Sequence, residues 1–245
     1  MLGSADSVLS FAKRKVFESQ CSTAKQYYLV FSQSLLLALL TLPAWGADVN
    51  KDEETIRNAT TVLRSMVASK DVSASTVAKA DCIIVMPSVK KFALGVGGTG
   101  GRGPMSCREG KDFTGKWSPP AMYTIGGMSA GLQVGGTAKD YIILIMAPTA
   151  VDKVLDGKVK VGQDATAAAG SGASASTSTA DMLTYSRTSG LFAGVSLNGT
   201  SLDPDTDANQ RLYGKPVSAR EIVSGKEVKA TAAGQSLVSL LNSKA

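Results

Sequence analysis

The chain has 245 residues, 44% of them apolar and 19% charged, with a net charge of +6. That apolar share fills a core and excludes disorder along the whole length. Histidine is absent and there are three cysteines. These counts remove Ser-His-Asp and Cys-His catalysis, His-ligated metals and a Cys₄ metal site. Aromatics at 6% make an aromatic stacking surface for single-stranded nucleic acid an unsuitable reading.

Residues 29–42 form an apolar stretch, densest at 35–42, preceded by Lys13, Arg14, Lys15 and Lys25. It is shorter than the roughly 20 residues of a membrane-spanning helix and runs into Pro43 and small residues. This is the pattern of a secretory signal peptide over 1–47, cleaved near Gly46 or Ala47. A retained anchor is the alternative. Cys21 precedes the apolar run, so no lipoprotein anchor is indicated. The expected location is periplasmic or secreted. Residues 1–46 hold four of the 26 basic and two of the 20 acidic residues, which leaves the remainder at net +4. That suits weak attraction to an anionic surface and falls short of a nucleic-acid-binding stripe.

The spacing predicts a helix over 52–70, capped by Asn50 or Asp52, with Ile56, Leu63, Met66 and Val67 on one face. A short helix follows over 75–79. Residues 82–86 then form a continuous apolar run closed by Pro87, as in a buried strand. Thirteen glycines between Gly95 and Gly136 punctuate short strands at 92–96, 105–108, 122–125, 132–134 and 141–146. Many short strands with glycine turns predict a strongly bent, largely antiparallel sheet or barrel. Residues 141–146 read as its central strand and 150–155 as a short helix. By composition, 165–180 is a flexible linker or an extended small-residue segment. Residues 191–197 read as a strand before an Asn198-Gly199 turn. Residues 219–223 and 232–241 read as terminal helices. The fold class is α+β: a compact β-rich domain flanked by N- and C-terminal helices.

Four patterns bear on chemistry. Gly95-x-Gly97-x-x-Gly100 has dinucleotide-fingerprint spacing, but Gly101-Arg102-Gly103-Pro104 follows it and cannot open a helix. A glycine-rich strand-turn-strand fits better, and no cofactor is implied. Asp203, Asp205, Asp207 and Asn209 have the spacing of the first EF-hand ligands, without its glycine or its glutamate. They are either a weak metal site or a polar loop that caps a helix at Asp205 or Asp207. Cys82 and Cys107 are the two cysteines beyond the leader, and form either a disulfide or two buried thiols. Lys90, Lys91, Arg102, Arg108, Lys111 and Arg187 could converge on a lipid phosphate, or stand as solvated turn charges. A basic residue near a membrane contributes about 1 kcal/mol. No activated nucleophile or acid–base pair stands out, so the chain reads as no enzyme.

Together these segments resemble the SYLF domain family. The resemblance lies in Cys82 to Lys91, in Gly95-x-Gly97-Gly98-x-x-Gly101-Arg102-Gly103 and in Trp117-Ser118-Pro119-Pro120-Ala121. It continues through Gly126-Gly127-x-x-x-Gly131-x-Gln133-x-Gly135 and Gly162-x-Asp164-Ala165-x-x-Ala168-Ala169-Gly170. It runs on in Tyr185-Ser186-Arg187-x-x-Gly190 to Leu197, Asp205-x-Asp207-x-Asn209 and Tyr213-Gly214. The resemblance covers about 55–225 and implies one domain over 48–245, with 165–180 inside it. After Gly170 the family's Pro-Val-Gly-Arg-like stretch is replaced by Ser, Ala and Thr. The family implies lipid binding; its eukaryotic members bind phosphoinositides and some bind actin, beside SH3 or FYVE modules. For an exported chain the implied function is non-enzymatic binding of anionic phospholipid headgroups in the cell envelope. The alternative is an envelope protein-interaction or structural module with a protein partner. No nucleic-acid partner is expected.

Overall fold

The structure is a computed structural model that describes residues 45–157, 159–161, 167–168, 181–188 and 200–244. Residues 1–44 of the expected leader, most of the 165–180 segment, the 191–197 strand and the Asn198-Gly199 turn lie outside the described residues. The described residues from Ala47 onward form one compact unit. In chain order its elements are α1 (Trp45–Ala68), α2 (Ala74–Ala78), β1 (Cys82–Cys107), β2 (Ala121–Ile145) and α3 (Pro148–Leu155). There follow β3 (Val159–Val161), β4 (Ala167–Ala168), β5 (Met182–Thr188), β6 (Thr200–Pro204), α4 (Thr206–Tyr213), α5 (Ala219–Val223) and α6 (Ala232–Lys244).

The short strands expected between 82 and 146 are two long ones. β1 spans 26 residues and β2 spans 25, paired antiparallel from Cys82↔Ile145 to Met105↔Ala121. Glycine lets a strand bend without interrupting its ladder, so punctuation in the sequence is not termination in the structure. Pro87 does not close β1 either. It sits at a register shift between Met86 and Val89, where its missing N–H breaks no ladder bond. Ser88 there adopts φ 53°.

The ribbon doubles back until the two ends of β1 meet. The Arg108 N–H donates to the Asp81 carbonyl at 2.8 Å, and Cys82 is disulfide-bonded to Cys107. Gly103 lies so close to the Val85 carbonyl that any Cβ would collide with it. This contact requires glycine.

β2 is the spine. Along its other edge it pairs with β6 near its start and with β5 near its end, both antiparallel. β3 extends β6, and β4 joins β5 in parallel, which gives six strands in a bent, largely antiparallel sheet. Alternate side chains feed two cores. Cys82, Ile84, Tyr141, Ile143 and Ile145 pack with Val151 and Val154 of α3 and Ile222 of α5. Ile83, Val85, Ile142 and Leu144 pack with Ile56, Leu63 and Met66 of α1 and Leu237 and Leu241 of α6. Helices thus cover both faces, which explains why 82–86 and 141–145 read as unbroken apolar runs.

α1 begins at Trp45, seven residues before the expected start. Its buried face, Ile56, Ala59, Leu63 and Met66, is the one its spacing predicts. Asp52 does not cap it; it lies mid-helix and fully buried. α1 ends at Ala68, with Lys70 left-handed at φ 62°. Among the described residues no helix is long and apolar enough to cross a membrane.

Candidate functional site

The six basic positions do not form one cluster. Arg102, though 36% exposed, is engaged by two carboxylates: its guanidinium meets Asp52 at 2.8 Å and Asp205 at 2.7 Å. Asp52, with no exposure, also accepts from Arg211 Nε at 2.8 Å. This carboxylate cannot meet water, so two guanidiniums from β1 and α4 balance it.

Arg108 lies over the Trp117 ring, 4.7 Å from its centroid, and donates to the carbonyls of Ala78 at 3.0 Å and Gly115 at 3.2 Å. It fastens the 108–117 loop to α2. Burial pushes the nearby Asp81 carboxyl up from the usual carboxylate range, against the pull of Arg108. Lys111 is exposed in that loop.

Lys90, Lys91 and Arg187 belong to another part of the sheet. Lys91 pairs with Thr137, and burial with the like charge of Lys139 lowers its pKa. Lys90 pairs with Ala138, and Arg187 of β5 with Asp140 of β2. Partners in register share a face, so Lys90, Ala138, Asp140 and Arg187 all lie on the α1 side.

There α1 stands off the sheet and leaves a cleft of about 330 Å³. Its lining includes Val62, Ser65 and Met66 of α1, and Ser88, Ala138, Asp140 and Arg187 of the sheet. Arg187 Nη1 donates to Ser65 Oγ at 2.6 Å, and Nε lies 3.8 Å from Asp71. Its side chain is still 37% exposed. Asp140 Oδ1 accepts the Ser88 N–H at 2.9 Å, a donor that the bulge turns away from the ladder. The cleft therefore offers an accessible guanidinium, a fixed carboxylate, hydroxyls and an apolar wall. That suits binding.

The four EF-hand-like residues do not converge either. Asp205 caps α4, accepting the Ala208 N–H at 3.0 Å, and also takes Arg102. Asn209 is fully buried; its amide pairs with the backbone N–H of Met122 at 2.7 Å and its carbonyl at 3.2 Å. It continues the sheet where Pro204 ends β6. Asp207 is exposed on the first turn of α4, and Asp203 lies in β6. Among the described residues no group of three or more Cys, Asp or Glu side chains is placed to hold a metal ion.

Of the cleft residues, Arg187 alone is a candidate binding residue in the sequence; Met66 reads as part of the apolar face of the helix. Ser65 is one polar residue among many on α1 and carries no signal. Asp140 carries a faint one: it is the last charge before the apolar run of 141–146.

Residues 126–244 match the family described as "Ysc84: Las17-binding protein actin regulator". The SH3 domain-containing YSC84-like protein 1 of Rattus norvegicus is 29% identical over 204 residues, 80% of this chain and 58% of that one. The SH3 domain-containing protein PJ696.02 of Schizosaccharomyces pombe is 35% identical over 139 residues, 53% of this chain and 32% of that one. Protein YSC84 of Saccharomyces cerevisiae is 32% identical over 143 residues, 54% of this chain and 30% of that one. The matched stretch thus spans about a third to under three fifths of these relatives. No solved structure matches the chain.

Proposed function

The chain belongs to the SYLF domain family, and from that premise we propose that it is a non-enzymatic lipid-binding domain of the cell envelope that recognises anionic phospholipid headgroups. The observation that carries this reading is the 330 Å³ cleft with Arg187 on its wall. Guanidinium and phosphate oxygens form charge-assisted hydrogen bonds, roughly twice as strong as neutral ones. Val62, Met66 and Ala138 supply an apolar wall beside it for the first part of a glycerol backbone or acyl chain. Lys90 lies on the same face and is exposed. Arg102 and Arg108, each engaged within the protein, have no part in headgroup recognition on this reading.

The envelope location rests on the apolar run of 29–42 and its basic flank. Cleavage near Gly46 or Ala47 would remove only the first residues of α1 and leave its buried face intact.

The test is vesicle flotation of the full chain, with phosphatidylcholine alone and with added phosphatidylglycerol, at low and high salt. The reading expects binding to the phosphatidylglycerol vesicles that weakens with salt. Folded protein that floats with neither would remove it. That result would favour the second reading, an envelope protein-interaction module. The protein partner named in the family description and the exposed side chain of Met128 support that alternative.

A further inference from the structure

The cleft holds an acid beside its base. Asp140 and Arg187 are cross-strand partners, and both line it. Asp140 is fixed through the Ser88 N–H at 2.9 Å. Asp71 stands 3.8 Å from Arg187. The patch thus sets one guanidinium against two carboxylates, with Lys90 as a further cation on the same face. Such a balance does not suit a multiply charged phosphate monoester, whose second negative charge would face Asp140. It suits a ligand that brings one negative charge and a hydrogen-bond donor a few atoms away.

Resting on the lipid-binding reading above, we propose that the cleft selects a singly charged phosphodiester whose headgroup ends in a hydrogen-bond donor, a hydroxyl or an ammonium. Arg187 takes a phosphodiester oxygen and Asp140 accepts from the terminal donor. Asp140 is then the residue that determines specificity. A headgroup lacking the donor leaves the remaining acceptor capacity of Asp140 without a ligand partner, and a second negative charge there is repelled by it.

Flotation of the full chain tests this. The vesicles are phosphatidylcholine with an equal mole fraction of phosphatidylglycerol, phosphatidylethanolamine or phosphatidic acid. Phosphatidylglycerol presents hydroxyls, phosphatidylethanolamine an ammonium, and phosphatidic acid a more highly charged monoester without the donor. The expected order places phosphatidylglycerol, the anionic diester, first and phosphatidic acid several-fold below it, with the zwitterionic phosphatidylethanolamine between them. Asp140→Asn keeps a carbonyl oxygen for the Ser88 N–H and removes the charge, so the several-fold preference over phosphatidic acid should be lost.

If that variant unfolds, a competition with wild-type protein reads the same selectivity. Glycerophosphoglycerol or glycerophosphoethanolamine should displace it from its vesicles, and inorganic phosphate at the same concentration should not. Phosphatidic acid bound as well as both diesters, or a folded Asp140→Asn with an unchanged preference, overturns this proposal and leaves lipid binding standing. Wild-type protein that is folded and binds none of the vesicles overturns the lipid reading itself.

Discussion

Two arginine–aspartate assemblies tie the α1 region to the sheet, and their surroundings differ. Near the start of α1, Asp52 is fully buried and held at 2.8 Å by both Arg102 and Arg211, with Asp205 balancing Arg102. Farther along, Arg187 reaches Ser65 and stands 3.8 Å from Asp71, with 37% of its side chain open to solvent. The first assembly has matched charges, each at hydrogen-bond distance. The second is loosely paired around a cleft. Residue type is the same in both, and Arg102 at 36% is as exposed as Arg187 at 37%; pairing decides which arginine is a fastener and which can meet a partner.

Predictions follow that contrast between the closed side of the molecule and the open one. The largest effect belongs to the Cys82–Cys107 bond, which closes a 25-residue separation between the two ends of β1. Replacing both cysteines with alanine should cost about 3.5 kcal/mol in urea unfolding on a chain-entropy account. A loss below about 1 kcal/mol would mean that the ladder alone closes the ribbon.

Asp52→Ala strands two guanidiniums and should cost about 3 kcal/mol, the low end for a broken buried pair, because both arginines are partly solvated. Gly103→Ala drives a methyl into the Val85 carbonyl and should cost about 2 kcal/mol by overpacking. Unchanged melting of that variant would show that β1 does not double back as described.

Ser218→Ala removes the hydroxyl half of a reciprocal cap on α5 and should cost about 1 kcal/mol. Hydrogen bonds from the Ser218 backbone N–H and then its hydroxyl lower the pKa of Glu221. The cap's contribution is therefore present above the ordinary carboxylate pKa and is lost as pH falls through the lowered one. Ser218→Ala keeps the backbone N–H, the larger cause, and should only reduce that acid limb of the stability profile, whereas Glu221→Gln should flatten it. Smallest of all, Arg187→Gln should change stability by less than about 1 kcal/mol, as for exposed pairs. A loss comparable with that of Asp52→Ala would erase the distinction between the two assemblies.

The parts of the fold legible in the sequence are those with local periodicity. The helical spacing of Ile56, Leu63 and Met66 marks the buried face of α1. The unbroken run 141–146 marks the inner part of β2, and 219–223 is a helix with the bounds of α5. The long ribbon was not legible, because glycine signals a bend and a break alike until its pairing is known. The Asp52 knot was not legible because Arg102 and Arg211 lie 50 and 159 residues away from it. Asp203 to Asn209 shows the converse: a ligand-like spacing resolves into a helix cap and an amide that continues a sheet, because spacing alone does not aim side chains. In the cleft, Arg187 was legible as a charge near a strand, whereas Ser65 and Asp140 join it only through pairing.

The most direct test of the account is the affinity of full-length wild type and Arg187→Gln for phosphatidylglycerol-containing vesicles, with Arg102→Gln as the contrast and melting recorded for each. The account predicts that Arg187→Gln keeps its melting temperature and loses about tenfold in affinity, the equivalent of one charge-assisted contact. It predicts that Arg102→Gln, where it remains folded, binds as wild type does. Undiminished binding by Arg187→Gln, with loss confined to folded Arg102→Gln, would contradict it.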